Sequence, residues 1–161
     1  MTDAPEDAPD PARVVADADV LVADLLCGGP SRAALDRIRE HSWLELVASD
    51  RLVEDAAAVI AELADEDLAA RWRERIDRER IAVEQPVGDH PGLASARSGN
   101  AAHLLSLSEG LTSAGAGVSM QSRLRVSVRT PQAFLAVFDP ASLYETVVGG
   151  EYPGPDRDPR R

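Results

Sequence analysis

Two aspartates, Asp17 and Asp19, interrupt an otherwise apolar run at residues 14–22. Residues 14–16 have the character of a buried strand, and residues 20–26 continue at a spacing that suits a helix. The two acids are therefore predicted at the carboxyl end of a strand or on the turn into a helix, which is where open α/β sheets place ligands. Because an ionised carboxylate in such a place is costly unless something pairs with it or coordinates it, a divalent cation is the obvious candidate.

Short apolar segments alternate with helical patterns along the rest of the chain. Besides the first segment, the predicted strands are residues 44–48, 102–107 and 124–128. The predicted helices are residues 18–26, 31–41, 50–63, 67–83, 91–99, 131–138 and 140–148. This alternation predicts an α/β domain with three layers (α/β/α), in which helices cover both faces of a small, mainly parallel sheet of about four strands.

Length and composition predict one folded domain between two irregular ends. A chain of 161 residues corresponds to a single domain. We predict a disordered acidic leader at residues 1–12, the folded domain at residues 13–148 and a Gly/Pro-rich tail at residues 149–161. No stretch reaches the roughly 18 apolar residues of a membrane helix, and the amino terminus lacks a signal-peptide pattern. We therefore expect a cytoplasmic protein with no membrane partner.

The charged residues are unusual in kind as well as in number. The net charge is −11, and all 17 basic residues are arginines. This composition indicates a halophilic protein, adapted to a salt concentration at which charges interact over only about 3 Å. The acidity does not exclude nucleic acid as a partner. At such salt, however, counterion release is weak, so arginine forks and metal bridges would have to carry the binding.

Further acids lie at the ends or borders of predicted elements. Asp55 borders the apolar stripe of the third predicted helix, Asp89 lies just before the fifth helix, and Glu109 follows the third strand by two residues. Alone, each has a simpler explanation: Asp89 as a helix cap, for example, and Asp55 as a solvated helix residue. Their combination with the first pair of aspartates favours a shared acidic site.

Five segments of the chain carry motifs in a recognisable order. They are residues 14–22, 49–55, 90–94, 102–109 and 126–135. Their order resembles the PIN domains, a family of metal-dependent ribonucleases. Asp17 followed two residues later by Asp19 is similar to the opening strand of that family, and Asp55 stands where its serine-capped helix carries a glutamate. The resemblance covers most of residues 14–138 and implies a PIN-like fold.

The resemblance also implies a function and a set of site residues. A PIN-like endoribonuclease hydrolyses RNA phosphodiester bonds with one or two Mg²⁺ or Mn²⁺ ions, which activate water and neutralise charge on the phosphate. The implied catalytic residues are Asp17, Asp55, Asp89 and Glu109, and the implied metal-binding set adds Asp19. Of these, Asp17, Asp55 and Glu109 would ligate the metal directly or through water. Asp19 and Asp89 would orient waters or hold a second ion.

Two departures from the PIN pattern leave other functions open. His103 replaces the family's usual aspartate before the third strand, and Glu109 replaces the aspartate after it. Glutamate still ligates a metal, whereas histidine suits Mn²⁺ better than Mg²⁺. The alternative is a PIN-like domain with weakened catalysis that acts as an RNA-binding or protein-interaction module. For either function, the expected partners are RNA, a second copy of the chain in a homodimer, and an antitoxin-like protein. A third hypothesis is an unrelated α/β domain with a halophilic acidic surface.

Overall fold

The computed structural model describes residues 8–85, 90–112 and 126–159, which form one parallel β-sheet covered by helices. The strands are β1 (Asp10–Ala16), β2 (Glu45–Ser49), β3 (Arg80–Val83), β4 (Ala101–Leu105) and β5 (Ser127–Arg129). Their order in the sheet is β3-β2-β1-β4-β5, and every neighbouring pair is parallel. The predicted α/β class is confirmed, with five strands in the described residues rather than about four.

Helices connect the strands and form the outer layers of the three-layer fold. They are α1 (Ala18–Leu26), α2 (Gly29–Arg39), α3 (Asp50–Leu63), α4 (Glu66–Glu79), α5 (Pro91–Ser98), α6 (Glu109–Thr112), α7 (Pro131–Val137) and α8 (Pro140–Val147). Two helices have the caps that their sequences favour: the Ser49 hydroxyl accepts the N–H of Leu52 at 3.1 Å, and Thr130 caps α7 in the same way. Within the described ranges, no helix is long and apolar enough to cross a membrane.

Strand β3 corrects the predicted end of the fourth helix. The sequence pattern predicts a helix over residues 67–83, but α4 ends at Glu79, and β3 pairs in parallel with β2. The buried guanidinium of Arg80 donates to the Ala48 carbonyl at 3.0 Å and pairs with Asp50 at 2.6 Å, which ties the start of β3 to β2. Two of its four residues are β-branched and favour extended backbone. A strand this short cannot be separated by periodicity from the last turn of a charged helix.

Two other boundaries differ from the prediction. β1 begins at Asp10, whose N–H donates to the Asn100 carbonyl at 2.7 Å, so three residues of the predicted leader belong to the sheet. α2 begins at Gly29 rather than Ser31, because Gly28 adopts a φ of +75° and a proline fits the first helical turn. Both differences extend an element towards the amino terminus.

The predicted third and fourth strands are also present with shifted ends. The segment predicted at residues 102–107 forms β4, which begins one residue earlier and ends at Leu105. The segment predicted at residues 124–128 contributes to β5, and its first two residues lie outside the described residues.

The two faces of the sheet are buried beneath different helices. On one face, α5 lies against Leu104, because Gly92 leaves room for the close approach: a Cβ built on Gly92 would lie 3.1 Å from the Leu104 side chain. On the opposite face His103, the neighbour of Leu104 in β4, meets Phe134 of α7 edge to face, with ring centroids 5.8 Å apart. Phe134 is 1% exposed and belongs to the core between the sheet and α7.

The described part of the tail, residues 149–159, contains no helix or strand, yet it folds back on the loop after α2. The Tyr152 hydroxyl lies 2.5 Å from Nε2 of the fully buried His41. Further along, the N–H of Asp156 donates to the Glu40 carbonyl at 2.8 Å. The tail is therefore irregular, as its glycines and prolines predict, but it is attached to the domain.

Candidate functional site

The candidate site lies where the order of the strands reverses. β2 pairs with one edge of β1, and β4 pairs with the other. A crevice beyond the carboxyl ends of two such strands is where doubly wound α/β proteins bind ligands. Asp17 directly follows β1 and Ser106 directly follows β4, so both residues lie at this crevice.

Asp17 is the buried centre of the site, with 7% of its surface exposed. Its Oδ1 caps α1 by accepting the N–H of Ala18 at 2.9 Å, and its Oδ2 accepts the Ser106 hydroxyl at 3.1 Å. The Ser106 oxygen also accepts the N–H of Ser108 at 3.1 Å. These contacts join the ends of β1 and β4. The amino terminus of α1 also favours negative charge on Asp17.

His90 directs an N–H donor at Asp17. Its Nδ1 accepts the backbone N–H groups of Gly92 at 3.1 Å and Leu93 at 3.5 Å, which caps α5. Because Nδ1 is an acceptor, the proton of the neutral ring is on Nε2, and Nε2 lies 3.6 Å from Oδ2 of Asp17. A Cβ on Gly92 would lie 3.2 Å from Oδ1 of Asp17. The amino-terminal end of α5 therefore lies directly against the Asp17 carboxylate.

Asp19, two residues further along, carries an oxygen without a partner. Its Oδ2 accepts the N–H of Leu107 at 3.1 Å, whereas its buried Oδ1 has no hydrogen-bond partner in the part of the chain that the structure describes. Burial, and next the negative charge of Asp17, raise the pKa of the Asp19 carboxyl, although the N–H groups of Leu107 and Val20 oppose this. A cation at this oxygen would compensate the buried negative charge.

Replacing Asp19 with asparagine is expected to stabilise the fold at pH 7, because the amide removes a buried negative charge beside that of Asp17. A carboxyl group whose pKa is raised in the folded state binds more protons there than in the unfolded chain. Stability therefore falls as the pH rises from the usual aspartate range through the folded pKa. The unfolding free energy of Asp19→Asn, measured with urea across about pH 3 to 8, should not show this fall. This range begins near the usual aspartate pKa and extends above it. Glu54→Gln, at an exposed position of α3, should keep the fall.

The other predicted site residues lie in different surroundings. Asp55 is in the second turn of α3, its side chain is 41% exposed, and it pairs with Nε of Arg51 at 3.0 Å. Glu109 is exposed at the first residue of α6. Asp89 lies outside the described residues. The fold thus brings the first two aspartates together, and no three acidic, histidine or cysteine side chains of the described residues converge closely enough to hold a metal ion.

Ser106 and His90 contact Asp17, yet neither belongs to the set of acids that the sequence predicts. A signal for Ser106 exists, since the first polar residue after a buried parallel strand lies at the ligand-binding edge of the sheet. For His90, the following proline marks the start of a helix, but it does not tell where the ring points. His103, a departure from the PIN pattern, lies within β4 against Phe134.

The chain matches the sequence model of one protein family over almost its entire length. Residues 8–160 match the sequence model of DUF7384, described as a family of unknown function, and the chain is a member of that family. No curated protein and no solved structure matches the chain. Membership names no activity, so the function has to be argued from the site itself.

Proposed function

We propose that the crevice between β1 and β4 binds Mg²⁺ or Mn²⁺, and that the chain is a PIN-like endoribonuclease that hydrolyses RNA phosphodiester bonds in the cytoplasm. The observation that supports this most directly is the buried Oδ1 of Asp19, an oxygen without a described partner next to the charge of Asp17. Carboxylate oxygens are the ligands that both ions prefer. Mg²⁺ is often held by only one or two carboxylates together with phosphate oxygens of the substrate.

Each residue of the crevice has a role in this proposal. Asp17 and Asp19 would hold the cation, and Ser106 keeps Asp17 in place through its hydroxyl. When bound, the ion supplies an activated water and neutralises charge on the phosphate. His90 is not a metal ligand, because its Nδ1 caps α5 and its Nε2 carries a proton. That N–H instead donates to an anionic oxygen in the crevice, either of Asp17 or of the RNA phosphate.

In this proposal, Asp55, Asp89 and Glu109 would complete the site when metal and RNA bind. Asp55 would exchange its ion pair with Arg51 for the metal or its water shell; because this pair is exposed, the exchange would cost less than about 1 kcal/mol. Glu109 is exposed at the start of α6, just beyond β4, and Asp89 completes the proposed set.

RNA cleavage is expected to depend on added metal. Purified protein that has been freed of metal with EDTA should leave a labelled single-stranded RNA intact, and Mn²⁺ or Mg²⁺ should restore cleavage. The same ions should raise the melting temperature of the unmodified protein more than that of Asp19→Asn, because a ligand stabilises only the state that binds it. Cleavage that is unchanged in excess EDTA, or an equal thermal shift in both proteins, would contradict the proposal.

A specific observation also favours the second function, an RNA-binding or protein-interaction module with weakened catalysis. In the described ranges, the site gathers only two carboxylates, and Asp55 is paired with Arg51 instead. Such a module would retain metal-assisted RNA binding, or bind an antitoxin-like protein or a second copy of this chain, without cutting RNA. A gel-shift experiment with the same RNA separates the two functions: binding without cleavage at saturating Mn²⁺ supports the module.

A further inference from the structure

A second pocket lies on the face of the sheet that α7 and α8 cover. Its volume is about 390 Å³, which is within the size range of small-molecule sites. It is lined by His103, Arg129, Phe134, Phe138, Ser142 and Thr146, among others. Neither Asp17 nor Asp19 lines it, so an inference about this pocket does not depend on the metal site.

Arg129 gives the pocket a positive charge. It is the last residue of β5 and is half-buried, and its carbonyl accepts the N–H of Ser106 at 3.0 Å. Its guanidinium makes no ion pair or hydrogen bond with the described residues. Most other arginines of the domain pair with a carboxylate: Arg13, Arg37, Arg39, Arg51, Arg71, Arg73, Arg75 and Arg80. In a chain with net charge −11, a half-buried guanidinium that lines a pocket and has no carboxylate partner among the described residues suits an external anion.

His103 lines the pocket close enough to Arg129 for that charge to act on its ring. Its Nδ1 is buried and has no hydrogen-bond partner in the described part of the protein. Burial, and next the charge of Arg129, lower the pKa of His103, so the ring is neutral at pH 7. A neutral imidazole with a free nitrogen donates one hydrogen bond or accepts one. Among the described lining residues, the positive charge of the pocket therefore comes from Arg129, and His103 lines it as a neutral ring.

Aromatic rings line the pocket next to these polar groups, and the nearer one, Phe134, contacts the His103 ring edge to face. Phe134 and Phe138 stack with ring centroids 4.8 Å apart and an interplanar angle of 20°. Phe134 is almost fully buried and Phe138 is half-buried, so Phe138 offers apolar surface to an occupant. A flat apolar group fits beside such a pair by offset stacking.

A carboxylate at the rim fixes the orientation of an occupant. Asp139 lines the pocket but is exposed, and its oxygens accept the N–H groups of Ala141 and Ser142 and the Ser142 hydroxyl as the cap of α8. The hydrogen bond from Ser142 lowers the pKa of Asp139, so it is ionised at pH 7. An anionic group therefore points away from Asp139 and towards Arg129.

We propose that this pocket binds a small aromatic carboxylate, with its carboxylate on the Arg129 guanidinium beside the His103 ring, and its flat body against Phe138. A guanidinium donates two parallel hydrogen bonds to a carboxylate. Because the two charges are then in direct contact, concentrated salt screens their attraction little. The hydroxyl oxygens of Ser142 and Thr146 donate within the domain and keep lone pairs for a donor on the ligand.

Benzoate is a suitable probe, with benzamide as its neutral counterpart of the same shape. In protein with ¹⁵N-labelled histidine, benzoate should shift the His103 ring signals, assigned by their loss in His103→Gln, with a Kd of about 1 mM. Benzamide should bind at least about tenfold more weakly, because it lacks the charge that Arg129 recognises. This comparison uses the unmodified protein and so does not depend on a variant that folds.

Arg129→Gln should weaken benzoate binding by at least about tenfold and leave benzamide binding unchanged. Arg78→Gln, at an exposed position of α4 that does not line this pocket, is the matched control and should bind benzoate as the unmodified protein does. Equal binding of the two probes, benzoate binding that ignores Arg129→Gln, or no shift of His103 at about 10 mM benzoate would overturn the proposal. None of these results bears on metal-dependent RNA cleavage.

Discussion

Replacing Arg39 with methionine is expected to lower the free energy of unfolding by about 3–5 kcal/mol at pH 7, because the change leaves the buried Asp24 carboxylate without its partner. Arg39 is the last residue of α2, and its side chain is 10% exposed. It donates to both oxygens of Asp24, at 2.7 and 3.0 Å, and to Glu79 at 3.2 Å. Methionine keeps most of the side-chain volume, so the lost stability is caused by removal of the charge and not by a cavity.

The surroundings of Arg39 explain why this expected loss is large. Burial opposes its charge, but the hydrogen bond and the charge of Asp24 outweigh burial, so the pKa of Arg39 is raised above its ordinary value. The Asp24 side chain is 6% exposed, and water does not replace the guanidinium easily there. Because Asp24 is on α1 and Glu79 is at the end of α4, the cluster joins three helices.

The loss caused by Arg39→Met should shrink at low pH. At about pH 4 and below, protonation of the stranded carboxylate in the variant removes the unpaired charge. Urea unfolding at pH 7 and pH 4 measures this difference. The control is Arg71→Met, since Arg71 and its partner Asp67 are 68% and 80% exposed and such pairs contribute less than about 1 kcal/mol. Equal losses in the two variants would contradict the role assigned to Arg39.

The architecture follows from local patterns that the sequence displays. Apolar runs too short for helices, caps such as Ser49 and Thr130, and prolines in first turns locate most elements. β3 is different, because four residues carry too little periodicity to be assigned. Its position depends on contacts of Arg80 with β2, which are distant in sequence. Strand order depends on the same long-range pairing and cannot be read from the chain.

The candidate site was only partly predictable, because chain position places some of its residues and side-chain geometry decides the others. Asp17 and Asp19 are fixed by chain position alone, since any residue after a central parallel strand lies at the sheet's carboxyl edge. Asp55 is different: its place in α3 is predictable, but whether its carboxylate faces the crevice or Arg51 depends on side-chain geometry. The approach of His90 to Asp17 depends on how closely α5 packs on β4, and Gly92 makes that approach possible.

Asp17→Asn is expected to reduce metal-dependent RNA cleavage at least about 100-fold, since even residues behind the metal ligands commonly change activity 10- to 100-fold. Asparagine has nearly the same shape and is a good helix cap, so it can still accept the N–H of Ala18. It lacks the negative charge needed to hold a cation. The variant should therefore remain folded while losing both Mn²⁺ binding and cleavage.

The matched control for Asp17→Asn is Asp67→Asn, which removes the same charge at an exposed position on α4. Cleavage rates at saturating Mn²⁺, together with urea unfolding of each variant, separate loss of the site from loss of the fold. If Asp67→Asn lowers cleavage as much as Asp17→Asn does, the lower rate is caused by the change in net charge and not by loss of the site in the crevice. If Asp17→Asn cleaves RNA at the unmodified rate, the ribonuclease site does not include the carboxylate at the junction of β1 and β4, and the proposed function is wrong.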